Sequence, residues 1–318
     1  MSHNIPPIIS LLFFPGGLFI ILGGLVYEYI DRKLVARFQN RIGPRFIQPL
    51  ADFIKLLAKE EVIPHGVNPA LFQGLPVVAL ASALTVALYV PVAGFQPAYH
   101  FRGSLIVTLY MLSVLTICTG LAGANVADRF SLIGATRTMT QLFSYEAPFL
   151  LALLGPAIAA GSWDITTIHG YTLSHPWLLV TQPIGFLVAL IGLMGKLEMP
   201  PFDAPEAETE IVSGALTEYS GRGYALFCLG RNVELFIGLT MVAAFYLGGL
   251  NNPLIFLLKT LALLLVIAGL QSLFARLRID QTVGLWWRVG ALLVLVQLLV
   301  IIILKTRSEE HTSELQSH

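Results

Sequence analysis

Cysteine is scarce in this 318-residue sequence, and histidine is missing from its apolar runs. The two cysteines, Cys118 and Cys228, lie singly in apolar stretches, without the paired spacing that an iron–sulfur cluster, a zinc site or a disulfide framework requires. The seven histidines fall in the termini or between apolar runs, whereas a cytochrome b-like protein buries pairs of histidines to hold haem iron. We therefore expect the chain itself to bind no metal and no redox cofactor.

Charge is also sparse, since charged residues make up 12% of the chain, against about 25% in a soluble domain. Hydrophobic residues contribute 56%, and the mean hydropathy is +0.76, which leaves too few polar side chains to cover a soluble surface. Nineteen basic residues balance nineteen acidic ones, so the chain has no net positive field to attract nucleic acid. This composition predicts an integral membrane protein.

Eight apolar windows are long enough to cross a bilayer as helices, which takes roughly 20 residues each. They run at about residues 8–30, 70–93, 104–126, 141–161, 177–197, 224–249, 253–273 and 284–304. Pro148, Pro156 and Pro183 interrupt the fourth and fifth windows, where neighbouring helices would have to satisfy the freed carbonyls. The sequence thus predicts an all-α polytopic protein with a single transmembrane domain over residues 1–306.

The last twelve residues, 307–318, differ abruptly from the apolar run that ends at Leu304. Their sequence, RSEEHTSELQSH, resembles the translation of a common DNA-sequencing adapter. We interpret this segment as an artefact and leave it out of the functional argument.

Basic residues predict the orientation of the chain in the membrane. Fourteen of them follow the first, third, fifth and seventh windows, and the even-numbered connections hold only Arg102. Positively charged connections favour the cytoplasmic side, so we expect these four connections inside a prokaryotic plasma membrane and both termini outside. No internal repeat is visible, which disfavours a freestanding solute carrier built from duplicated halves.

The first cytoplasmic connection contains an amphipathic segment. Leu50, Phe53, Ile54 and Leu57 recur at helical spacing, and Asp52, Lys55 and Lys59 occupy the other side. The pattern predicts a helix at the membrane interface, which is either a generic surface helix or a docking platform. The polar turn before it, residues 39–45, favours docking because its side chains can face a partner.

The third cytoplasmic connection, residues 198–223, holds six carboxylates in 21 residues. Asp203 and Glu206 fit the start of a helix, so capping could account for those two. Glu206 and Glu210 are four apart, and like charges on one helix face need water, a cation or a shared proton to relieve them. The remaining members are Glu198, Glu208 and Glu218.

Four ionisable residues lie inside the predicted spans, where a charge costs several kcal/mol. Arg231 and Glu234 are three apart and could form a static ion pair, and Lys259 could extend outward to the interface. Glu146 has no cation near it in sequence, which favours a proton-carrying role. Glu28 lies near the inner end of the first span and is expected at the interface.

Several motifs together carry a family resemblance. They are QNRIGP at 39–44, QPLADFIK at 48–55, SYE at 144–146, PFD at 201–203 with PEAE at 205–208, EYSG at 218–221, and RLRIDQ at 276–281 with WR at 287–288. In this order they resemble the family of the H subunit (subunit 1) of NADH:quinone oxidoreductase, respiratory complex I. The family also includes the homologous membrane subunit of energy-converting nickel–iron hydrogenases and formate hydrogenlyases.

The resemblance implies an eight-helix subunit that docks a hydrophilic electron-transfer arm and joins it to antiporter-like membrane subunits. It places Glu146, Asp203, Glu206, Glu208, Glu210 and Glu218 in an acidic channel, to which we add Glu234 and Lys259 as a candidate proton path. Candidate docking residues for the arm are Arg41, Arg45, Asp52, Lys55, Lys59, Arg276, Arg278 and Asp280. Iron–sulfur clusters, nickel–iron or flavin and NADH would lie in partner subunits, and quinone could bind at the interface with the arm. This chain would then contain no catalytic residue.

Two departures concern quinone. The segment between QNR and QP is about six residues shorter than in quinone-using members and resembles the hydrogenase branch. The family's basic residue two positions before PFD is Met199 here, and its acidic residue at the start of the sixth span is Arg231. The sequence therefore predicts a subunit of a complex I-like, redox-driven proton or sodium pump, with a hydrogenase complex as the alternative to a quinone reductase.

Overall fold

The computed structural model describes residues 12–316, except Pro15, with side chains described as far as residue 307, and its regular structure is helical. The α-helices are α1 Gly17–Phe38, α2 Gln48–Ala58, α3 Pro69–Val86, α4 Ser104–Asn125, α5 Arg129–Ala160, α6 Ile165–Ser174, α7 Leu178–Thr181, α8 Pro183–Lys196, α9 Glu208–Ile211, α10 Gly221–Tyr246, α11 Pro253–Leu273, α12 Ile279–Leu285 and α13 Ala291–Gln316. Short 3₁₀ helices span Ala204–Glu206 and Gly214–Leu216, and a π-helical turn, Trp286–Gly290, joins α12 to α13. The all-α fold predicted from the sequence is confirmed.

Helix α10 lies at the centre of the bundle. It packs against α1 and α3 and also touches α8 and α11, and every residue from 233 to 246 is buried. A helix that is apolar on all sides is expected in the interior of a membrane domain. An ionisable side chain in this buried part of α10, such as Glu234, must therefore find its partner inside the protein.

Helix α5 begins earlier than predicted. The side chain of Asp128 accepts hydrogen bonds from the backbone N–H groups of Phe130 and Ser131, so the helix starts at residue 129 and not near 141. Its 32 residues are about 48 Å long, more than the roughly 30 Å of a bilayer core. The predicted start was wrong because the first turns of α5 are polar and precede the apolar window in the sequence. Pro148 and Pro156 are accommodated within the helix.

Other boundaries also differ from the apolar windows. The second window ends at Val86 instead of 93, the fifth contains the 14-residue helix α8, and an unpredicted short helix, α6, precedes it. Six helices among the described residues are long and apolar enough to cross a membrane. Helix α1 carries several charges in its second half and α8 is short, so the count of eight spans stays a prediction. Residues 8–11 of the first window lie outside the described residues.

The amphipathic helix of the first connection is present as α2. Its Phe53 and Leu56 are partly buried toward α10, whereas Leu50, Ile54 and Leu57 are exposed. The helix was predicted correctly, but the face that packs against the protein is shifted by about one residue from the one the spacing suggested. The exposed apolar edge is available to lipid or to a partner.

The segment 198–223, here called the acidic connection, packs against α4 and α5 through contacts between small residues. A side chain at Gly134 of α5 would overlap the backbone of Gly214 and Ala215, and one at Gly123 of α4 would lie 2.8 Å from the Cβ of Ala215. Gly214 itself has a positive φ of +57°. The position of the acidic connection therefore depends on the absence of side chains at these sites.

Replacing Gly134 with alanine should displace the acidic connection and destabilise the protein by about 2 kcal/mol, a typical cost of overpacking. Thermal unfolding of the detergent-solubilised protein would measure the loss. Gly170→Ala in α6 is the matched control, because a Cβ there has no neighbour within 4 Å. The control should be neutral or slightly stabilising, as alanine is the better helix former by up to about 1 kcal/mol. Equal melting temperatures for Gly134→Ala and the unaltered protein would contradict this packing.

Candidate functional site

Arginine side chains from three other segments bind the acidic connection. Arg276 binds both carboxylate oxygens of Asp203, with distances of 2.9 Å from Nε and 2.5 Å from Nη2. Arg137 binds Glu210 at 2.6 Å. The Asp203 carboxylate raises the pKa of Arg276, mainly by this hydrogen bond. Such bidentate and charge-assisted contacts fix the connection in one conformation.

These pairs correct the capping interpretation of the sequence. Asp203 precedes the 3₁₀ helix Ala204–Glu206, but its side chain caps no backbone N–H. Glu206 and Glu210 do not share one helix, because the chain turns at Ala207 between the 3₁₀ helix and α9. The charge of these two carboxylates is relieved by separate arginines. These arginines lie on α5 and α10, so the spacing of residues within the acidic connection could not predict the pairs.

Arg231 of α10 is shared by two carboxylates of the connection. Its Nη2 lies 3.0 Å from Oε2 of Glu198, and its Nη1 contacts Oε1 of Glu206. The static Arg231–Glu234 pair considered from the sequence is wrong, because these two side chains bind different partners. Arg231 thus links the acidic connection to the interior of the bundle.

Glu198 is the buried member of that pair and was not selected as a site residue from the sequence. It follows α8 with a positive φ of +53°, unusual for a non-glycine residue, and its side chain is 6% exposed. Burial raises the pKa of Glu198 to about 7, and Glu206 adds to the rise while Arg231 opposes it. The available sequence signal was its place directly after the apolar run of α8.

A second buried ion pair lies beside the first. Nζ of Lys196, at the end of α8, is 3.4 Å from Oε1 of Glu234 on α10, and the two side chains are 2% and 1% exposed. Nζ of Lys196 also donates to the backbone carbonyl of Leu112 on α4, at 2.5 Å. Lys196 was counted from the sequence only as a topology signal. Sequence reasoning missed it because its partner is 38 residues away on another helix.

Glu146 lies 17 residues into α5 and meets α4. Its Oε1 accepts a hydrogen bond of 2.5 Å from the hydroxyl of Ser113. The preceding residue, Tyr145, is buried and its hydroxyl lies 3.4 Å from that of Thr116 on α4. The carboxyl group of Glu146 therefore contacts the helix turn whose Leu112 carbonyl binds Lys196.

Five members of the predicted proton path lie outside the buried pairs: Asp203 and Glu210 are bound by Arg276 and Arg137, and Lys259, Glu208 and Glu218 are separate. Lys259 donates to the backbone carbonyl of Gly249 at 2.7 Å, just after the far end of α10, so it extends outward. Glu208 and Glu218 are exposed on the acidic connection. The structure brings together Glu198, Glu206, Arg231, Glu234 and Lys196. Glu146 is connected to this cluster through α4, where Leu112 binds Lys196 and Ser113 binds Glu146.

The predicted docking residues fall into two groups. The side chains of Arg41, Arg45, Lys55 and Lys59 are exposed on the first connection, and Asp52 is bound by Gln48 at 2.8 Å and lies 3.6 Å from Arg32. In the segment 276–281, Arg278 pairs with Asp280 at 3.2 Å in an exposed position, and Arg276 is bound to Asp203. Arg276, Arg278 and Asp280 border a cavity of about 420 Å³ that Arg137 and Glu210 also line.

Another cavity of about 420 Å³ separates α1, α2 and α10. Its polar lining includes Glu28, Asp52, Tyr224 and Asn232, and Phe53 contributes to its apolar lining. Glu28 is bound by Asn232 and Arg32. Glu28, which was predicted to lie at the membrane interface, thus lines an amphipathic cavity beside α2.

The fold and the site define a class: polytopic α-helical membrane proteins with a buried acid–base cluster that opens to one face. Comparison with known proteins makes this specific. A family model described as NADH dehydrogenase matches residues 11–302, and the chain belongs to that family.

Individual relatives agree with this assignment. The NADH-quinone oxidoreductase H subunit of Carboxydothermus hydrogenoformans is 34% identical over 285 residues, covering 85% of this chain and 81% of the relative. The protein of the same name from Bacillus thuringiensis is 35% identical over 293 residues, covering 86% of both chains. A solved chain of the membrane-bound sulfane sulfur reductase, an archaeal respiratory membrane complex, has the same fold, with a TM-score of 0.82 over 89% of this chain and 96% of that one, at 22% identity.

The raised pKa of Glu198 predicts a carboxyl group that is neutral below pH 7 and ionised above it. Infrared titration of the solubilised protein should show a carboxylic acid C=O band that disappears around pH 7 and is absent in Glu198→Gln. Arg231→Met should move this midpoint to higher pH, because the guanidinium favours the ionised form. A Glu198 band that titrates near the ordinary pKa of 4.5 would contradict the burial argument.

Proposed function

We propose that this chain is the membrane subunit of a complex I-like redox-driven ion pump, and that it relays protonation changes from an electron-transfer arm into the bilayer. One observation carries the proposal: charged groups extend from the partly exposed Glu206, through Arg231 and Glu198, to Glu234 and Lys196 inside the bundle. Membership of the NADH dehydrogenase family and relatives that are oxidoreductase subunits support it.

The cluster can respond to chemistry in a neighbouring subunit because one cation, Arg231, is shared by two carboxylates. Glu206 is 40% exposed, so a charge or contact introduced there by a partner acts directly on Arg231. Any weakening of the Arg231–Glu206 contact leaves Arg231 to Glu198 alone, and the protonation of Glu198 then changes. A carboxyl group with a pKa of about 7 is suited to this role, since it exchanges a proton near neutral pH.

We propose the exposed residues of the first connection and last loop as the docking surface for hydrophilic iron–sulfur and catalytic-type subunits, with antiporter-like subunits beside the bundle. The complex would lie in a prokaryotic plasma membrane, and this chain would supply no catalytic centre. Redox cofactors would be held by the partners. The cytoplasmic side of the acidic connection and both outward termini follow from the distribution of basic residues.

The cavity between α1, α2 and α10 has a volume and a mixed polar and apolar lining that suit a quinone head group at the interface with the arm. Two features favour the hydrogenase-like alternative: the short segment between Arg41 and Gln48, and the pairing of Arg231 with Glu198 and Glu206. The genes next to the one for this chain distinguish a hydrogenase from a quinone reductase. A catalytic subunit that keeps four metal-binding cysteines indicates a hydrogenase, and one that has lost them indicates a quinone reductase.

Glu146→Gln should abolish ion translocation while leaving the complex assembled, because glutamine keeps the hydrogen bond to Ser113 but cannot carry a proton. Ion uptake into inverted membrane vesicles, measured per electron transferred, tests this. Glu146→Asp is the conservative control and should retain part of the translocation. Unchanged pumping in the assembled Gln variant would remove Glu146 from the path.

Arg41→Ala should weaken attachment of the hydrophilic arm by about tenfold, the factor expected for a loss of about 1.4 kcal/mol at an interface. Retention of the arm subunits by the solubilised membrane domain at increasing salt provides the measurement. Arg102→Ala is the matched control, since Arg102 is exposed on an even-numbered connection. Equal retention by the two variants would place the docking surface elsewhere.

A further inference from the structure

Lys196 is held by two helices at once. Its Nζ lies 2.5 Å from the carbonyl oxygen of Leu112 on α4 and 3.4 Å from Oε1 of Glu234 on α10. Charge-assisted hydrogen bonds between ammonium and carboxylate are usually about 2.7 to 2.9 Å long. The ammonium group is therefore bound more closely to the carbonyl than to its counter-ion.

Glu234 is weakly satisfied for a buried carboxylate. Its side chain is 1% exposed, and neither carboxylate oxygen has a hydrogen-bond partner among the described residues. A static buried ion pair repays its desolvation only when further hydrogen bonds satisfy both ions. The Lys196–Glu234 pair has such a bond on the lysine side only, so it is held less firmly than a pair in which both ions are fully hydrogen-bonded.

The second carboxyl group is anchored one residue further along α4. Glu146 accepts a hydrogen bond from the Ser113 hydroxyl, and Ser113 directly follows the Leu112 carbonyl that binds Lys196. A lysine side chain has four rotatable methylene units and three donors, so its ammonium group can turn about the carbonyl anchor. Glu234 thus contacts Lys196 directly, and Glu146 is held on the same turn of α4 that binds the ammonium group.

We propose that Lys196 is a positioning residue that alternates between Glu234 and Glu146, so that proton uptake by one carboxylate drives proton release from the other. This rests on the proposed function, in which both carboxylates lie on the ion path. One buried cation stabilises one carboxylate at a time, because a second uncompensated negative charge is costly in a low dielectric.

The proton balance of the step is simple. A proton that arrives from the cytoplasmic cluster binds the Glu234 carboxylate and neutralises it. Lys196 keeps its own proton and its ammonium group moves toward Glu146, which favours the ionised form of that carboxyl group. One proton has entered at Glu234, and one has left the partly exposed Glu146 for water, so the charge within the bundle is unchanged.

The double variant Lys196→Met/Glu234→Gln separates this role from a structural one. Removing both members of a buried pair is often neutral for stability, whereas removing one leaves an uncompensated charge. We expect the double variant to assemble but to lose ion uptake per electron in inverted vesicles. A double variant that assembles and pumps as many ions per electron as the unaltered complex would overturn the proposal. The pair would then have only a structural role, which uncharged side chains can also fill.

Lys305→Met is the matched control. Lys305 also donates to a helix carbonyl, that of Ile158 at 2.8 Å, but it belongs to no acidic pair among the described residues. Its variant should pump normally. Glu146→Gln distinguishes failure of the alternation from failure of the proposed ion path. Loss of pumping in Glu146→Gln together with normal pumping in the double variant refutes the alternation alone. Normal pumping in Glu146→Gln refutes the path.

Redox-induced difference infrared spectra of the unaltered complex decide the question if the double variant does not assemble. Alternation requires one carboxylic acid C=O band to be gained and another lost together, and Glu146→Asp should shift the band that is lost. Bands of a single sign, or a lost band unaffected by Glu146→Asp, would overturn the proposal.

Discussion

The structure depends on mutual neutralisation of four buried charges where α8 meets α10. Lys196 ends α8 and Glu198 follows it two residues later, and Arg231 and Glu234 lie three apart on α10. The order of signs is complementary, so Lys196 meets Glu234 and Glu198 meets Arg231. Each ion would cost several kcal/mol alone in the interior of a membrane domain. As a group they carry no net charge, and this lets the apolar packing of α10 proceed around them.

A neutral group of four charges is also sensitive to any fifth. Glu206 approaches Arg231 from the exposed side, and Leu112 and Ser113 connect Lys196 with Glu146 on the inner side. The same low dielectric that makes the charges expensive transmits a change at one end over several ångströms without screening by water. In the proposed pump, stability and ion coupling would therefore arise from one arrangement, and a partner that shifts Glu206 would change the charge balance throughout it.

Sequence reasoning identified most of the helices and the acidic connection because both depend on local composition. Apolar length predicted the membrane domain, and helical spacing predicted α2. Helix ends were less accurate: α5 begins at a capping aspartate, Asp128, outside the apolar window. Pairing failed where it depends on tertiary contacts, as for Arg231, which was matched with its neighbour Glu234 on the same helix. Lys196 was overlooked because a lone lysine at a span's inner end also fits a topology signal.

The departures from the family pattern are explained by the same charges. A basic residue expected two positions before PFD is Met199, which contacts Gln271, and a basic residue appears instead on α10 as Arg231. The connection thus keeps one cation, but that cation now reaches Glu198 and Glu206 from the helix that crosses the bundle. A cation fixed on a buried helix is less exposed to solvent than one on a loop, and its contacts are screened less by salt. The two exchanges together therefore keep one cation and remove one carboxylate, and they move the cation from the acidic connection to α10.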